Sequence, residues 1–170
     1  MSSGISVNDE CISTFHDLKL KKAHKYAIFK INDARTEIVL DKVSSSTNYE
    51  EFVNALPTDD CRFAVYDFSY EVEGAGTRHK LCFYIWYFFL YIASLSLFIS
   101  FLFTLILILH YFETLSRSPD TAKIRPKMLY ASSKDAIRKR LDGINNEIQC
   151  TDLDEVSHKS VLEKVSRVSH

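Results

Sequence analysis

From Leu81 to Phe112 the chain carries no Lys, Arg, Asp or Glu, and the densest part, YFFLYIASLSLFISFLFTLILILHY, runs from Tyr87 to Tyr111. This run constrains the fold more than any other feature. Left on the surface it exposes an apolar patch larger than monomers carry. As a helix it passes for a membrane span, because the 23 residues Tyr87 to Leu109 rise roughly 35 Å against roughly 30 Å of hydrocarbon. Basic residues flank it on both sides (Arg78 and Lys80; Arg117 and Lys123), so charge selects no orientation. Two crossings need roughly 40 residues, which the run does not have.

The flanks are of another kind, with mixed charge, regular turns and amphipathic periods. Without Tyr87 to Arg117 the chain keeps 139 residues, enough for one domain with a sizeable core. The net charge of −1 gives no general pull toward nucleic acid, so an electrostatic partner must be met by a local patch. The start, MSSGISVNDE, lacks the basic and then apolar order of a signal peptide. Cys11, Cys61, Cys82 and Cys150 are far apart and read as free, mostly buried thiols in a reducing compartment. The six histidines have no metal-ligand spacing, and EGAG lacks the Lys-Ser/Thr of a phosphate loop. Asp67 has no nucleophile or base motif beside it, so neither catalysis nor a cofactor is expected.

Ser6 and Asp9 resemble a capping box, and Val7, Cys11, Phe15 and Leu18 follow at helical spacing. Lys25–Ile31 alternates and predicts a strand. Asn32-Asp33 turns the chain into a second strand, Thr36–Val43. Tyr49, Phe52, Val53 and Leu56 mark a helix stopped at Pro57. Cys61–Val72 is a long strand with Ala64, Tyr66, Phe68, Tyr70 and Val72 on one side. Gly74 and Gly76 turn it into Arg78–Trp86, whose apolar end suits a central position.

Beyond the run, SPDTAKIRPKMLYASSKDAIRKRLDG predicts a long helix that starts close to Pro126 and is closed by Gly143. Met128, Leu129, Ala136, Ile137 and Leu141 are its apolar positions. Lys123, Lys127, Lys134 and Arg138 share one face, which taken alone is an ordinary solvated stripe. Glu147–Thr151 is a short strand, and Ser157–Val168 is a last helix with Val161, Leu162, Val165 and Val168 inward. The order predicts an α/β or α+β layered fold: a five-stranded mixed sheet with helices on both faces.

Several stretches carry a family likeness: INDARTEIV, YDFSYEV, the strand ending FYIW, SPDTAKIRPKMLYASSKDAIRKRL, and TDLDEVSHKSVLEKVSR. In their order and spacing the chain resembles the cofilin or actin-depolymerising factor family, in its short fungal form. The likeness covers residues 1–86 and 118–170 as one actin-depolymerising factor homology domain. In that family Trp is followed directly by Ser-Pro-Asp, whereas here 31 residues separate Trp86 from Ser118.

The resemblance implies an actin-binding protein, not an enzyme, that binds monomers and filament sides, favours the ADP form, and severs and depolymerises filaments. It implies a monomer-and-filament surface of Ser3, Arg125, Lys127, Lys134, Asp135, Arg138, Asp152 and Glu155. A second, filament-side surface maps to Arg78, Lys80, Glu163, Lys164 and Arg167. Ser3 before Gly4 matches a serine whose phosphorylation switches binding off, since phosphate adds negative charge against an acidic partner. Phosphoinositide headgroups are an implied competitor for the basic stripe. The implied location is the cytoplasm and cortical actin cytoskeleton, with the nucleus as a further site.

Three readings of 87–117 stay open: a membrane span, a tolerated insertion, or an intron translated in frame. The intron reading fits most. Phe, Leu, Ile, Ser and Tyr codons are rich in T and C, the length is a whole number of codons, and Tyr87 and Arg117 match the residues that splice-site ends would encode. The rival to an actin regulator is a single-pass membrane protein whose two cofilin-like halves no longer form a domain.

Overall fold

The computed structural model describes residues 4–72, 74, 76–87 and 121–167, excepting the side chains of 121–126. The chain opens on a two-residue strand, β1 (Ser6–Val7), which pairs parallel with β3 (Glu37–Ser44). Ser6 is therefore a strand residue, not the expected cap. Asn8 caps α1 (Asp9–His16) instead, its side chain accepting from the Glu10 N–H at 2.9 Å. The helix widens into a π-turn over Asp17–Lys21 that ends on Lys22 at φ 53°. This keeps Leu18 buried and sends Lys19 Nζ to the Asp142 carbonyl at 2.9 Å.

β2 (Tyr26–Ile31) and β3 form a hairpin whose turn is held by Asn32, with Oδ1 accepting from the Thr36 N–H at 2.9 Å. α2 (Tyr49–Ala55) follows, capped by Asn48. β4 (Arg62–Val72) and β5 (Gly76–Trp86) form the longest hairpin, and Gly74 and Gly76 supply the left-handed φ of 74° and 71° that its turn requires. α3 spans Thr121–Arg138, β6 Asn146–Cys150, and α4 His158–Arg167.

Among the described residues the sheet has six strands in the order β1-β3-β2-β4-β5-β6, one more than expected. α3 starts five residues before Pro126 and ends five before Gly143, so neither residue bounds it as predicted. Pro126 stands sixth in the helix, past the first turn, so its missing N–H cannot supply the usual bond to the carbonyl of residue 122. Gly143, at φ 82°, belongs to the turn beyond, and a Cβ there would stand 2.8 Å from Lys19 Nζ.

Strand alternation divides the core between two faces. Phe63 and Val65 of β4 pack with Cys11 and Phe15 of α1 and with Tyr130 and Ile137 of α3. Ala64, Tyr66, Phe68 and Tyr70 pack with Phe52 of α2 and with Val161 and Val165 of α4. All four cysteines are buried and free. Burial pushes the Cys11, Cys82 and Cys150 thiols up to about 12, which leaves them unreactive at neutral pH.

β5 and β6 lie on either side of the apolar run in sequence, yet they pair in parallel from Cys82↔Asn146 to Trp86↔Cys150. A single bilayer crossing between them would part this pairing, so the flanks form one body. Among the described residues no helix is long and apolar enough to cross a membrane. The run from residue 88 onward, Arg117 and Val168 lie outside the described residues.

Candidate functional site

The predicted residues fall into two groups, one along α3 and the turn after β6 and the other where the start of β5 meets α4. Arg78 and Trp86 are eight residues apart along the strand, about 26 Å.

At the Trp86 end, Tyr87 continues the strand. Its N–H donates to the Cys150 carbonyl at 2.9 Å, and its ring, 4% exposed, lies 5.5 Å from Lys127 Nζ. Through this one residue the front of α3 meets the turn that follows β6, bringing together two segments predicted to act together. That turn is internally fastened. Glu155 Oε2 accepts from the Thr151 N–H at 2.7 Å and hydroxyl at 3.0 Å, and Asp152 Oδ1 accepts from the Glu155 N–H at 2.8 Å. Leu153 projects from it, 57% exposed.

The stripe on α3 is not uniform. Lys134 Nζ is 2.7 Å from Glu147 Oε1 of β6, and that bond raises the lysine pKa above its ordinary value. Arg138 donates to the carbonyls of Leu141 at 3.2 Å and Ile144 at 3.4 Å, closing the turn after the helix while keeping its charge. Asp135 is exposed. The Arg125 backbone is in the helix, and Ser3 lies outside the described residues. Met128, one of the apolar positions of the helix, is 66% exposed beside Lys127. The inward stripe is Tyr130, Ser133 and Ile137, with Leu141 buried just past the helix. The Ile31 N–H donates to the Tyr130 hydroxyl at 2.9 Å, and Ser133 Oγ donates to the Leu129 carbonyl at 2.6 Å.

At the other end, Arg78 is exposed just beyond the glycine turn. Lys80 Nζ donates to the Val165 carbonyl of α4 at 3.0 Å and lies 5.8 Å from the Tyr70 ring. This joins the start of β5 to the last turn of α4, which carries Glu163, Lys164 and Arg167 on exposed positions. Arg167 is 3.7 Å from Glu163. The second predicted group is thus also brought together in space.

Asp67 is 3% exposed, with Oδ2 3.0 Å from Lys22 Nζ and 3.4 Å from His79 Nδ1. This arrangement ties β4 to the π-turn region. Among the described residues no His, Cys, Asp and Glu group could hold a metal ion.

The family model for cofilin/tropomyosin-type actin-binding proteins matches residues 4–87 and 109–166. The chain belongs to the cofilin family. A cofilin of Mycosarcoma maydis is 46% identical over 167 residues, covering 98% of each chain. A cofilin of Saccharomyces cerevisiae is 42% identical over 166 residues, covering 97% of this chain and 94% of its own. The crystal structure of Streptomyces griseoflavus cofilin superposes with a TM-score of 0.72 at 42% identity, covering 96% of this chain and 98% of that one. Family membership and the mixed, helix-flanked sheet expected from sequence are thus both met. The family match takes in Tyr87 and leaves out 88–108, in keeping with the buried place of Tyr87 at the end of β5.

Proposed function

We propose that this actin-binding chain engages actin monomers and filament sides, prefers ADP-bound subunits, and severs and depolymerises filaments, so driving turnover of the cytoplasmic actin cytoskeleton. The carrying observation is the presence of two charged groups on one rigid body, the first along α3 and the turn after β6, the second where the start of β5 meets the last turn of α4. Lys127, Lys134, Asp135 and Arg138, with Arg125, Asp152, Glu155 and Ser3, form the surface for monomer and filament. Arg78, Lys80, Glu163, Lys164 and Arg167 form the second surface, reached only within a filament.

Two separate contact surfaces on a stiff body can bridge adjacent subunits. A filament twist that satisfies both at once is then favoured over one that does not. Severing needs no covalent step under this scheme, because boundaries between differently twisted segments are the weak points. Positive charge at Lys127 and Arg138 speeds encounter with an acidic partner and gives phosphoinositide headgroups a competing place to bind. Phosphate on Ser3 opposes the same encounter. Cortical and nuclear sites of action belong to this reading.

The sequence 87–117 is an insertion into this domain, and an in-frame retained intron accounts for its composition and its ends. The absence of any transcript joining Trp86 to Ser118 would refute that origin. For the function, filament co-sedimentation and single-filament severing are compared between the full chain and a form lacking Tyr87 to Arg117. The shorter form is expected to bind and sever, and the full chain to bind poorly or aggregate. Failure of the shorter form to bind filaments refutes the functional reading, and equal binding by both refutes interference by the insertion.

A further inference from the structure

The turn that closes α3 is held from two sides. Arg138, in the last turn of the helix, donates to the carbonyls of Leu141 and Ile144. Lys19 donates at 2.9 Å to a carbonyl between them, that of Asp142, from 123 positions away in sequence. The two cations therefore fasten one short stretch of backbone, whose apolar side chains, Leu141 and Ile144, are buried in the core. Arg140 also reaches Asp9 at 3.4 Å, but that pair is exposed and contributes little.

Sequence and backbone both fit Lys19 to this place. Cys11, Phe15 and Lys19 are spaced four apart, so a lysine stands where the period of α1 brings buried side chains. The chain has widened into the π-turn there, with Leu18 fully buried and Lys19 half-buried. Gly143 makes room for the ammonium group, since a Cβ on it would stand 2.8 Å from Lys19 Nζ and 3.0 Å from Cε. The backbone of Gly143 is at φ 82°, which glycine adopts without steric cost.

We propose that Lys19 is a positioning residue for the monomer-and-filament surface. By holding the Asp142 carbonyl it fixes the turn that Arg138 also holds, and so fixes where the Arg138 charge stands relative to the rest of α3. The inference rests on the reading above that α3 meets actin, and adds to it a residue that acts through Arg138.

The test uses the full chain, and in parallel the form lacking Tyr87 to Arg117, with Lys19→Met, Lys19→Arg and Lys127→Met. Methionine keeps the apolar stem but has no donor, whereas arginine keeps a donor. Amide hydrogen exchange over residues 139–145 is measured in the free protein, and actin monomer affinity is measured separately. Lys19→Met is expected to speed exchange in this turn about tenfold, the effect of losing a hydrogen bond with a charged donor. Monomer binding is expected to weaken about threefold, the scale of a substitution that acts through its neighbours. Lys19→Arg restores both, and Lys127→Met weakens monomer binding without altering exchange in the turn.

Wild-type exchange in Lys19→Met would overturn the proposal, and weaker monomer binding alongside it would make Lys19 a direct contact. A Lys19→Arg variant that behaves like Lys19→Met would overturn it too. So would faster exchange in Lys19→Met with wild-type monomer binding, while Lys127→Met binds weakly, because the link would then be structural only. Wild-type monomer binding in both Lys19→Met and Lys127→Met would refute the surface on which the inference rests.

Discussion

The two ends of β5 carry similar charges and are built differently. At the Trp86 end the strand is fully buried, the Trp86 Nε1–H donates to the Pro57 carbonyl at 2.7 Å, and Tyr87 bridges α3 and β6. The basic residues of α3 are divided by partner. Lys134 meets a carboxylate that offsets its charge, while Arg138 meets neutral carbonyls and Lys127 lies over a ring. At the Arg78 end the strand leaves the core, its residues are exposed, and Lys80 links it to α4. A shared residue type therefore predicts neither availability nor stability. The partner atom decides both.

The largest expected effect breaks the contrast at its rigid end. Trp86→Ala should cost about 3–5 kcal/mol in denaturant unfolding, because a large buried ring and a satisfied N–H are lost together. Arg78→Ala should stay within about 0.5 kcal/mol of wild type. Comparable losses at the two ends would remove the distinction.

Next comes Tyr130→Phe, which deletes the acceptor of the buried Ile31 N–H. A destabilisation of about 1–3 kcal/mol is expected, the cost of an unsatisfied buried donor. A neutral result would mean that this amide finds another partner.

Smaller still is the Lys134–Glu147 pair, both of whose side chains are about one-third exposed. Its folded lysine pKa is raised, so its contribution is fully present below the unfolded lysine value and is lost as pH rises through the folded one. Solvent screening limits it to about 1 kcal/mol at most. Glu147→Gln should therefore be less stable than wild type at pH 8, and the gap should close above the ordinary lysine pKa. A gap independent of pH would mean that the bond's charge contributes nothing. Smallest is Arg167→Gln, which removes an exposed i, i+4 pair. It should shift stability by a few tenths of a kcal/mol while lowering filament affinity, and unchanged co-sedimentation would take Arg167 out of the second surface.

Alternating and helical periods made the main strands and helices legible, together with the inward set of β4, because burial is written directly into those periods. β1 was not legible, since two residues carry no period. The cap moved from Ser6 to Asn8 for the same reason: pairing Ser6 with Glu37 consumed the position a cap would have used. On α3, Met128 counts among the apolar positions, but the buried phase is set by Tyr130 and Ile137. Ser133 completes that stripe, and its burial is allowed by a hydrogen bond to its own helix that hydropathy cannot register. The charges of both surfaces were visible through family likeness. The clamp roles of Arg138 and Glu155 were not, because they depend on backbone carbonyls and amides brought close only by folding.

The parallel pairing of β5 with β6 also sets how much an interruption can disturb assembly. The Leu81 N–H donates to Asn145 Oδ1 across 64 positions of chain, and removing 87–117 would roughly halve that span. Closing a flexible segment costs only about 0.6 kcal/mol more for each doubling of its length. Equilibrium stability is therefore a weak filter against extra sequence at this point. Rate is more exposed: β6 cannot dock until its crossover has been made, and non-local strands join late. A longer wait leaves the edge of β5 unpaired for longer, and an unpaired apolar edge is a template for another chain.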